Sequence, residues 1–544
     1  MTDPLTGTFP LSATTSVTVT DPGAVTAYEL FRERLTAWTG VRLGRATTTA
    51  AAPDGRAGDR PGENTLLIEV SEQLPELDAL PVPRGIRPSA DDAIAERFQL
   101  TITPTGVTVR ATAYEGIHRG LVTLAQLAVT GGDPDGEEDT VRLPCARILD
   151  SPRFAWRGLS LDVARCFLGV EAVERVIDLL DLYKLNTLHL HLTDDPGWRV
   201  QLPSRPGLTD HPAAGPSYTR ADYARIVTYA AARFITVVPE IDMPGHSGAA
   251  LRAHPELGVK EQPENPGVAG FAQRMPDPES ASTWSFVEDV IGDIAELTPG
   301  RFIHIGGDEA FAMSPDAHAA FVGRAAAVVA GAGKEVAGWQ EIARGDLPPR
   351  SVVQYWIELD RLREVTGNGT LGEILPGVPL EMVLEQYEKS AADLPRAREQ
   401  NAWVLLSPVS ATYLDRRYAE VSCDPAQEPS RQRIGHRGYP PAAVRESLEW
   451  DPDTLTDQIA PDRIAGVEAA VWGETVSDEN DVHLLLLPRL PLIAERAWTL
   501  APTPWATLRE RLARQTPLWR APGFTWYAGT DIPWAEAVPH SVAR

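Results

Sequence analysis

The residues with the clearest chemical potential lie in Phe302–Phe311, which reads FIHIGGDEAF. Alternating apolar and aromatic positions predict a short buried strand, and Gly306 and Gly307 then loosen the backbone. Two adjacent carboxylates follow, Asp308 and Glu309, carried out of an apolar wall. Desolvation and mutual repulsion at such a place raise one carboxyl pKa, which keeps a proton donor available near neutral pH. The plainer alternative is a helix start, with Asp308 as cap and Glu309 in the first turn. The rest of the chain favours the chemical reading, because it repeats the arrangement.

From Phe154 onward, short apolar runs recur, each closed by polar or aromatic residues. GLSLDVA ends at Arg165, TLHLHL at Thr193-Asp194-Asp195, and ITVVPEID runs into Met243-Pro244-Gly245-His246. Further on, EVAG ends at Trp339-Gln340-Glu341, SVVQY at Trp356, and WVLLS leads to Tyr413-Leu414-Asp415. The last run, GVEAAV, ends at Trp472-Gly473-Glu474. With the FIHIGGDE stretch these are eight strand candidates, most followed by helical patterns such as Val170–Tyr183. Alternating units of this kind predict an α/β fold, a (β/α)₈ TIM barrel over residues 151–500, with functional groups at strand C-termini. The segment between the fifth and sixth strands is too short for a crossover helix, so helix five is expected to be missing or degenerate. A doubly wound sheet is disfavoured, since no Gly-rich phosphate loop follows the first strand.

Residues 1–150 read as a separate, non-catalytic small α+β domain. LLIEV and FQLTITPTGVTV predict strands, the latter two joined by a Pro-Thr-Gly turn, and Ala113–Leu127 has helical spacing. GGDPDGEED marks its end as an exposed connection, and the Ala/Gly/Pro-rich Ala46–Asn64 reads as a mobile loop. Two long insertions, 357–402 and 416–449, lie at the site end of the barrel and are placed to shape an entrance. Residues 501–544 read as a helical tail with tryptophans packed on the barrel.

The chain has 544 residues, 43% of them hydrophobic, with 75 acidic against 50 basic residues and a net charge of -25. No long basic run is present, so neither nucleic acid nor a membrane surface is an expected partner. Cys145, Cys166 and Cys423 are widely spaced and form no metal pattern; buried free thiols are expected. MTDPLTGTFPLSATTSV shows no basic and then apolar leader, which predicts a cytoplasmic protein, or a secreted one if a leader has been removed.

Asp194-Asp195, Asp308-Glu309, Asp415 and Glu474 at equivalent strand ends would converge on one opening. Trp339, Trp356 and Trp472 share those positions, with Tyr413 and Trp450 nearby. Tryptophan faces suit the C–H face of a sugar ring, and carboxylates suit its hydroxyls. Acids and tryptophans with few cations point to neutral carbohydrate. His189-x-His191, with His246 and His304 on neighbouring strands, invites a metal-dependent amidohydrolase reading. Tryptophans stand where that reading needs further histidines, and His189 and His191 precede the strand end. Core histidines satisfied by hydrogen bonds are favoured, and no metal is assigned.

Taken in order, LDVAR, LHLHLTDDPGWR, PEIDMPGH, HIGGDE, GWQE, QYW, SATYLD and VEAAVWGE resemble the family 20 glycoside hydrolases, the β-N-acetylhexosaminidases. The resemblance covers about residues 150–500, and the first domain is similar to that family's non-catalytic domain. Pro196 stands where the family motif carries glutamine. The resemblance implies exo-acting, retaining hydrolysis of terminal GlcNAc or GalNAc without a cofactor, the substrate's own 2-acetamido group serving as nucleophile. It implies Glu309 as general acid and then base, Asp308 orienting the acetamido nitrogen, and Tyr413 bonding the acetamido carbonyl. Arg165 and Glu474, assisted by Asp415, would clamp sugar hydroxyls. Trp339, Trp356, Trp472 and Trp450 would line the pocket, and Asp194 with His246 would tune Glu309. A non-catalytic glycan-binding barrel is the alternative if sugar binds without turnover. Because side chains alternate along a strand, Asp308 and Glu309 can reach one sugar only if the chain bends after Gly307.

Overall fold

The computed structural model describes residues 2–48, 63–89, 92, 94–130, 139–210, 214–258, 275–311, 313–359 and 380–534. Most of the loop expected at Ala46–Asn64, the acidic connection at 131–138 and the first part of the 357–402 insertion fall outside these residues.

The N-terminal strands are β1 (Thr2–Ser12), β2 (Ser16–Val19), β3 (Thr47–Thr48), β4 (Thr65–Val70), β5 (Phe98–Thr103), β6 (Gly106–Ala111) and β7 (Thr140–Asp150). They form one mixed sheet in the order β1-β7-β5-β6-β4-β2-β3. The helices Val25–Thr39 and Tyr114–Thr130 bury Phe31, Leu35, Ile117, Leu121 and Leu124 in a core shared with Leu66, Ile68, Leu100 and Val109 of that sheet. β1 escapes a reading by pattern: it contains Pro4 and Pro10 and is exposed along most of its length. Proline is tolerated there because β1 is an edge strand.

The domain is tied to the barrel through buried charges. Arg119 contacts Glu96 at 3.0 Å and Asp181 at 3.3 Å, and His118 Nε2 lies 2.7 Å from Asp181 on the first barrel helix, Val170–Leu182. Burial works against the Glu96 carboxylate, yet Arg157, Arg119 and Arg87 hold its pKa down to about 2. Paired in this way, buried charges can be kept at the interface; a lone one could not.

The barrel strands are β8 (Trp156–Asp162), β9 (Thr187–His191), β10 (Thr236–Glu240), β11 (Phe302–His304), β12 (Glu335–Trp339), β13 (Val352–Tyr355), β14 (Trp403–Leu406) and β15 (Ile464–Val471). All neighbours are parallel, and β15 closes on β8. Between β12 and β13 the chain makes only the 3₁₀ turn Gln340–Arg344, so the fifth helix is replaced by that turn. At the strand N-termini the interior is plugged by Ile86, Trp156, Val238, Phe302, Val352 and Leu405. The tail helices Trp505–Ala513 and Thr516–Arg520 follow, and Trp519 and Trp526 are buried in the barrel's outer core. Of the cysteines only Cys145 is buried; Cys423 is exposed, because the 416–449 insertion that carries it runs over the surface. No helix of the described residues is long and apolar enough to cross a membrane.

Candidate active site

Strand β11 stops at His304, and the next residues leave the sheet. Gly306 and Gly307 take φ of 66° and 98°, and Glu309 itself is left-handed at 47°. A Cβ at Gly306 would run into the Asp242 carboxylate, and one at Gly307 into Ile342, so only glycine allows the turn. The bend required to bring two consecutive carboxylates together is therefore present. Asp308 Oδ2 and Glu309 Oε2 lie 3.5 and 3.6 Å from the same atom, His246 Nε2. Left-handed backbone at a non-glycine residue is costly and tends to persist where a site demands it; His246, at φ 48°, is a second case here.

Behind these acids runs a chain of charge. His246 Nδ1 is 3.5 Å from Asp194 Oδ1, and Arg165 Nη2 is 2.8 Å from Asp194 Oδ2. Arg165 also meets Asp162 at 3.0 Å and Glu474 at 3.4 Å, which fixes its guanidinium across the opening. Burial opposes the imidazolium of His246, but Asp194, Asp242 and Asp308 hold its pKa well above the ordinary value. Burial likewise opposes the Asp194 carboxylate, and Arg165, His246 and His191 hold it well below the ordinary range. His246 thus stands as a cation between Asp194 and the Asp308–Glu309 pair.

The walls are aromatic. Tyr413 stacks on Trp356 with centroids 6.3 Å apart and an 8° interplanar angle, and lies 6.0 Å from Trp472. Trp339 and Trp472 are 5.5 Å apart, and the Arg165 guanidinium sits 5.3 Å over the Trp472 ring. Between the walls are carboxylate oxygens that no donor among the described residues reaches: Asp308 Oδ1 and both oxygens of Asp415 are buried and unpartnered there. Burial, with Glu474 nearby, pushes the Asp415 carboxyl well above its usual range. Buried polar atoms without partners are rare, and in a cleft they mark where a ligand's hydroxyl or amide groups go.

Comparison with known proteins gives this arrangement a family. The profile of the glycosyl hydrolase family 20 catalytic domain matches residues 154–371 and 376–501, and that of the family's domain 2 matches residues 1–151. The chain belongs to glycosyl hydrolase family 20. It is 40% identical over 458 residues to a β-N-acetylhexosaminidase of Cellulomonas fimi, covering 82% of each chain. It is also similar to the solved N-acetyl-β-hexosaminidase of Streptomyces plicatus in complex with Thio-NAglucal. There the TM-score is 0.77 and the identity 32%, over 98% of this chain and 96% of the other. A mutant of the same Streptomyces enzyme, in complex with the product GlcNAc, matches with a TM-score of 0.76 and 32% identity, again over 98% and 96%.

Within this family 20 barrel, the strand-end histidines pair with buried carboxylates. His189 Nδ1 is 2.8 Å from Glu468, His191 bridges Glu240 at 2.5 Å and Asp194 at 2.9 Å, and His304 Nδ1 is 2.9 Å from Glu240. Trp339 Nε1 donates to the same Glu240 at 2.9 Å. Although burial opposes it, the carboxylates Glu240 and Glu468 raise the His189 pKa to about 9. The group is a charge-balanced network beneath the site, with Glu240 holding the indole of Trp339 and, through His191, the carboxylate of Asp194.

Arg165, Asp194, His246, Asp308, Glu309, Trp339, Trp356, Tyr413, Asp415, Trp472 and Glu474 are brought together. Trp450 is not. Its Nε1 donates to Ser447 O at 3.1 Å, and the adjacent Asp451 pairs with Arg153 ahead of β8, at the other end of the barrel. The 416–449 insertion carries Trp450 down the barrel side; its contribution to the pocket is Tyr439, 5.9 Å edge-on to Tyr413. The other insertion supplies Tyr387, whose hydroxyl donates to Glu309 Oε1 at 3.3 Å and whose ring stands 6.0 Å edge-on to Trp356. Asp242, Gln340 and Glu341 also belong to the site. Asp242 Oδ1 accepts from Gly307 N at 3.3 Å, and Gln340 Oε1 from the Trp356 and Ile357 amides at 3.1 and 2.9 Å. Glu341 Oε2 accepts from Trp356 Nε1 at 3.1 Å. Asp242, Gln340 and Glu341 stand at strand ends and could have been found there; the two tyrosines sit in insertions where nothing in the pattern marks them.

Proposed function

We propose that the chain is an exo-acting, retaining β-N-acetylhexosaminidase that removes terminal GlcNAc or GalNAc through participation of the substrate's acetamido group. The observation that carries this reading is the pair Asp308 and Glu309. They are adjacent, turned to one side by the glycine bend, and both lie against His246. A retaining pair in which one carboxylate attacks carbon must approach the sugar from opposite faces. Neighbours on one loop are poorly placed for that, which supports a nucleophile supplied by the substrate.

In this scheme Glu309 protonates the glycosidic oxygen as the acetamido oxygen closes on the anomeric carbon. Asp308 Oδ1, buried and without a donor, accepts the acetamido N–H and offsets the positive charge that develops on nitrogen. Tyr413 donates to the acetamido oxygen; burial, with Tyr439, Asp415 and Asp308 nearby, holds its pKa well above 10 and keeps the hydroxyl protonated. Water then opens the oxazolinium ring with Glu309 as base, giving net retention. Asp415, Arg165 and Glu474 hold sugar hydroxyls, while Trp339, Trp356 and Trp472 enclose the ring and the acetamido methyl. A pocket walled by these aromatic rings suits a terminal residue, which supports exo action.

A thiazoline analogue of the oxazolinium ion tests the reading. Competitive inhibition of aryl β-N-acetylglucosaminide hydrolysis, at least about 100-fold tighter than substrate binding, is expected of an intermediate mimic. Binding no tighter than free GlcNAc would oppose acetamido participation.

A further inference from the structure

Four groups of histidine and carboxylate side chains among the described residues stand close enough to share one ion. Three of them are already paired internally or with their surroundings. In the two sets built on Glu240, its Oε1 accepts from Trp339 Nε1 and faces His304 Nδ1, both at 2.9 Å, and its Oε2 faces His191 Nδ1. In the set Asp194, Asp195 and His246, Arg165 and His191 hold Asp194, and Asp195 Oδ1 accepts from Gly248 N at 2.8 Å. The fourth set is Asp242, His246 and Asp308, all buried, with one ligand atom from each lying within 4.8 Å of the other two. It differs in having acceptors left over. Asp242 Oδ2 and Asp308 Oδ1 are buried, and no donor among the described residues reaches either.

The loops that carry these side chains are tied together. Ile241 N donates to His304 O and Met243 N to Ile305 O, both at 3.0 Å, which joins the end of β10 to the end of β11. Asp242 N donates to Thr193 Oγ1 at 2.9 Å, and Asp242 Oδ1 accepts from Gly307 N at 3.3 Å, so Oδ2 is the open oxygen. Ligand atoms around a tetrahedral zinc stand roughly 3.4 Å apart. His246 Nε2 already lies 3.5 Å from Asp308 Oδ2. One imidazole nitrogen with two carboxylates is a donor set for zinc and its neighbours in the series, whereas magnesium and calcium prefer oxygen alone. Two buried carboxylates side by side also concentrate negative charge, which a divalent ion offsets better than the single proton of His246.

We propose that Asp242, His246 and Asp308 form an inhibitory site for a divalent transition ion of the zinc class, which stops turnover by occupying Asp308. On binding, the proton on His246 Nε2 passes to solvent and that nitrogen ligates the ion. With its carboxylate on the metal, Asp308 no longer serves the acetamido group. Only this exclusion rests on the hexosaminidase reading above; the binding of the ion does not.

Calorimetric titration of the full chain with zinc chloride, set against magnesium chloride, tests the site. One zinc per chain is expected to bind saturably at neutral pH, with magnesium at least about 100-fold weaker. Asp242→Asn and Asp308→Asn each remove a ligand and keep the shape of the side chain. Each should weaken zinc at least about ten-fold, the lower end of what losing even an outer partner of a metal ligand costs. If Asp242→Asn does not fold, Asp308→Asn carries the comparison alone. Saturating thiazoline should abolish zinc binding, and zinc should raise KM for the aryl β-N-acetylglucosaminide with kcat unchanged. The site is overturned by the lack of saturable binding, by an affinity that either folded variant leaves intact, by magnesium binding as tightly as zinc, or by zinc and thiazoline bound together. A thiazoline that does not bind the native chain removes the hexosaminidase reading instead, and the zinc titrations of the variants still decide the site.

Discussion

The two ends of the barrel are built from the same eight strands and have opposite chemistry. At the strand N-termini Trp156, Phe302, Val238, Val352 and Leu405 close the interior with apolar side chains, and the Trp156 and Phe302 rings meet edge-to-face at 5.2 Å. At the C-termini the interior holds Asp242, Asp308, Asp415, Arg165 and His246, with carboxylate oxygens that have no partner among the described residues. One end lowers the free energy of the fold, and the other raises it for the sake of what it can bind. Sandwiched between them is the Glu240–Glu468–histidine layer, where every charge has a counter-charge. At the site end the distinguishing feature is a set of carboxylate oxygens, on Asp242, Asp308 and Asp415, that no described residue supplies with a donor.

Substitutions at each end sharpen the contrast. Glu309→Gln is expected to lower kcat by about 10²–10⁴ on saccharide leaving groups and much less on activated aryl glycosides, which depart with little proton help. Its thermal midpoint should hardly move, and equal losses on both substrate types would argue against the acid role. Trp156→Ala is the mirror case. It removes a buried ring and leaves Glu468 Oε2 without the indole N–H it accepts at 2.8 Å. A loss of roughly 3–5 kcal/mol of stability is expected by denaturant unfolding, with KM of the folded fraction unchanged.

Glu341→Gln separates the two kinds of cost at a single residue. Burial raises the Glu341 carboxyl to about 8 in the folded protein, against an ordinary value of 4.5. Between those values the folded state binds a proton that the unfolded state has lost, so stability falls as pH rises through that window. Glutamine keeps an acceptor for Trp356 Nε1 and does not titrate. The variant should therefore be more stable than the native protein above pH 8, by an amount on the order of a few kcal/mol, and indistinguishable near pH 4. Parallel stability curves across that range would contradict the assignment. The smallest effect is expected from Trp450→Phe. Its ring is away from the pocket, so kcat/KM should change by less than about two-fold, and a large loss would return Trp450 to the site.

Much of this was legible from residue order. The eight barrel strands, the missing fifth helix and the constellation from Arg165 to Glu474 could be read because strand ends announce themselves. There an apolar run stops and a carboxylate or tryptophan follows. The bend after Gly307 could be deduced, since two adjacent acids cannot otherwise face one ligand. Trp450 was misread because an aromatic residue near the end of an insertion says nothing of where that insertion travels. Tyr387 and Tyr439 were missed for the converse reason. Leu384 and Tyr387 are three positions apart in a helix, which reads as ordinary packing, and only the tertiary fold turns that hydroxyl toward Glu309. β1 went unseen because an edge strand with two prolines and an exposed face lacks the alternation by which strands are recognised.

The central claim is that Asp308 serves the substrate's acetamido group and does not attack carbon. Its most direct test is the pair of p-nitrophenyl β-glycosides that differ only at C2, acetamido in one and hydroxyl in the other, measured with the native enzyme and with Asp308→Asn. The native enzyme should prefer the acetamido substrate by several orders of magnitude in kcat/KM. The asparagine variant should lose about 10²–10³ or more on that substrate, the scale for removing a partner of transition-state charge. Comparable turnover of both glycosides by the native enzyme, or a glycosyl ester trapped on Asp308, would contradict it.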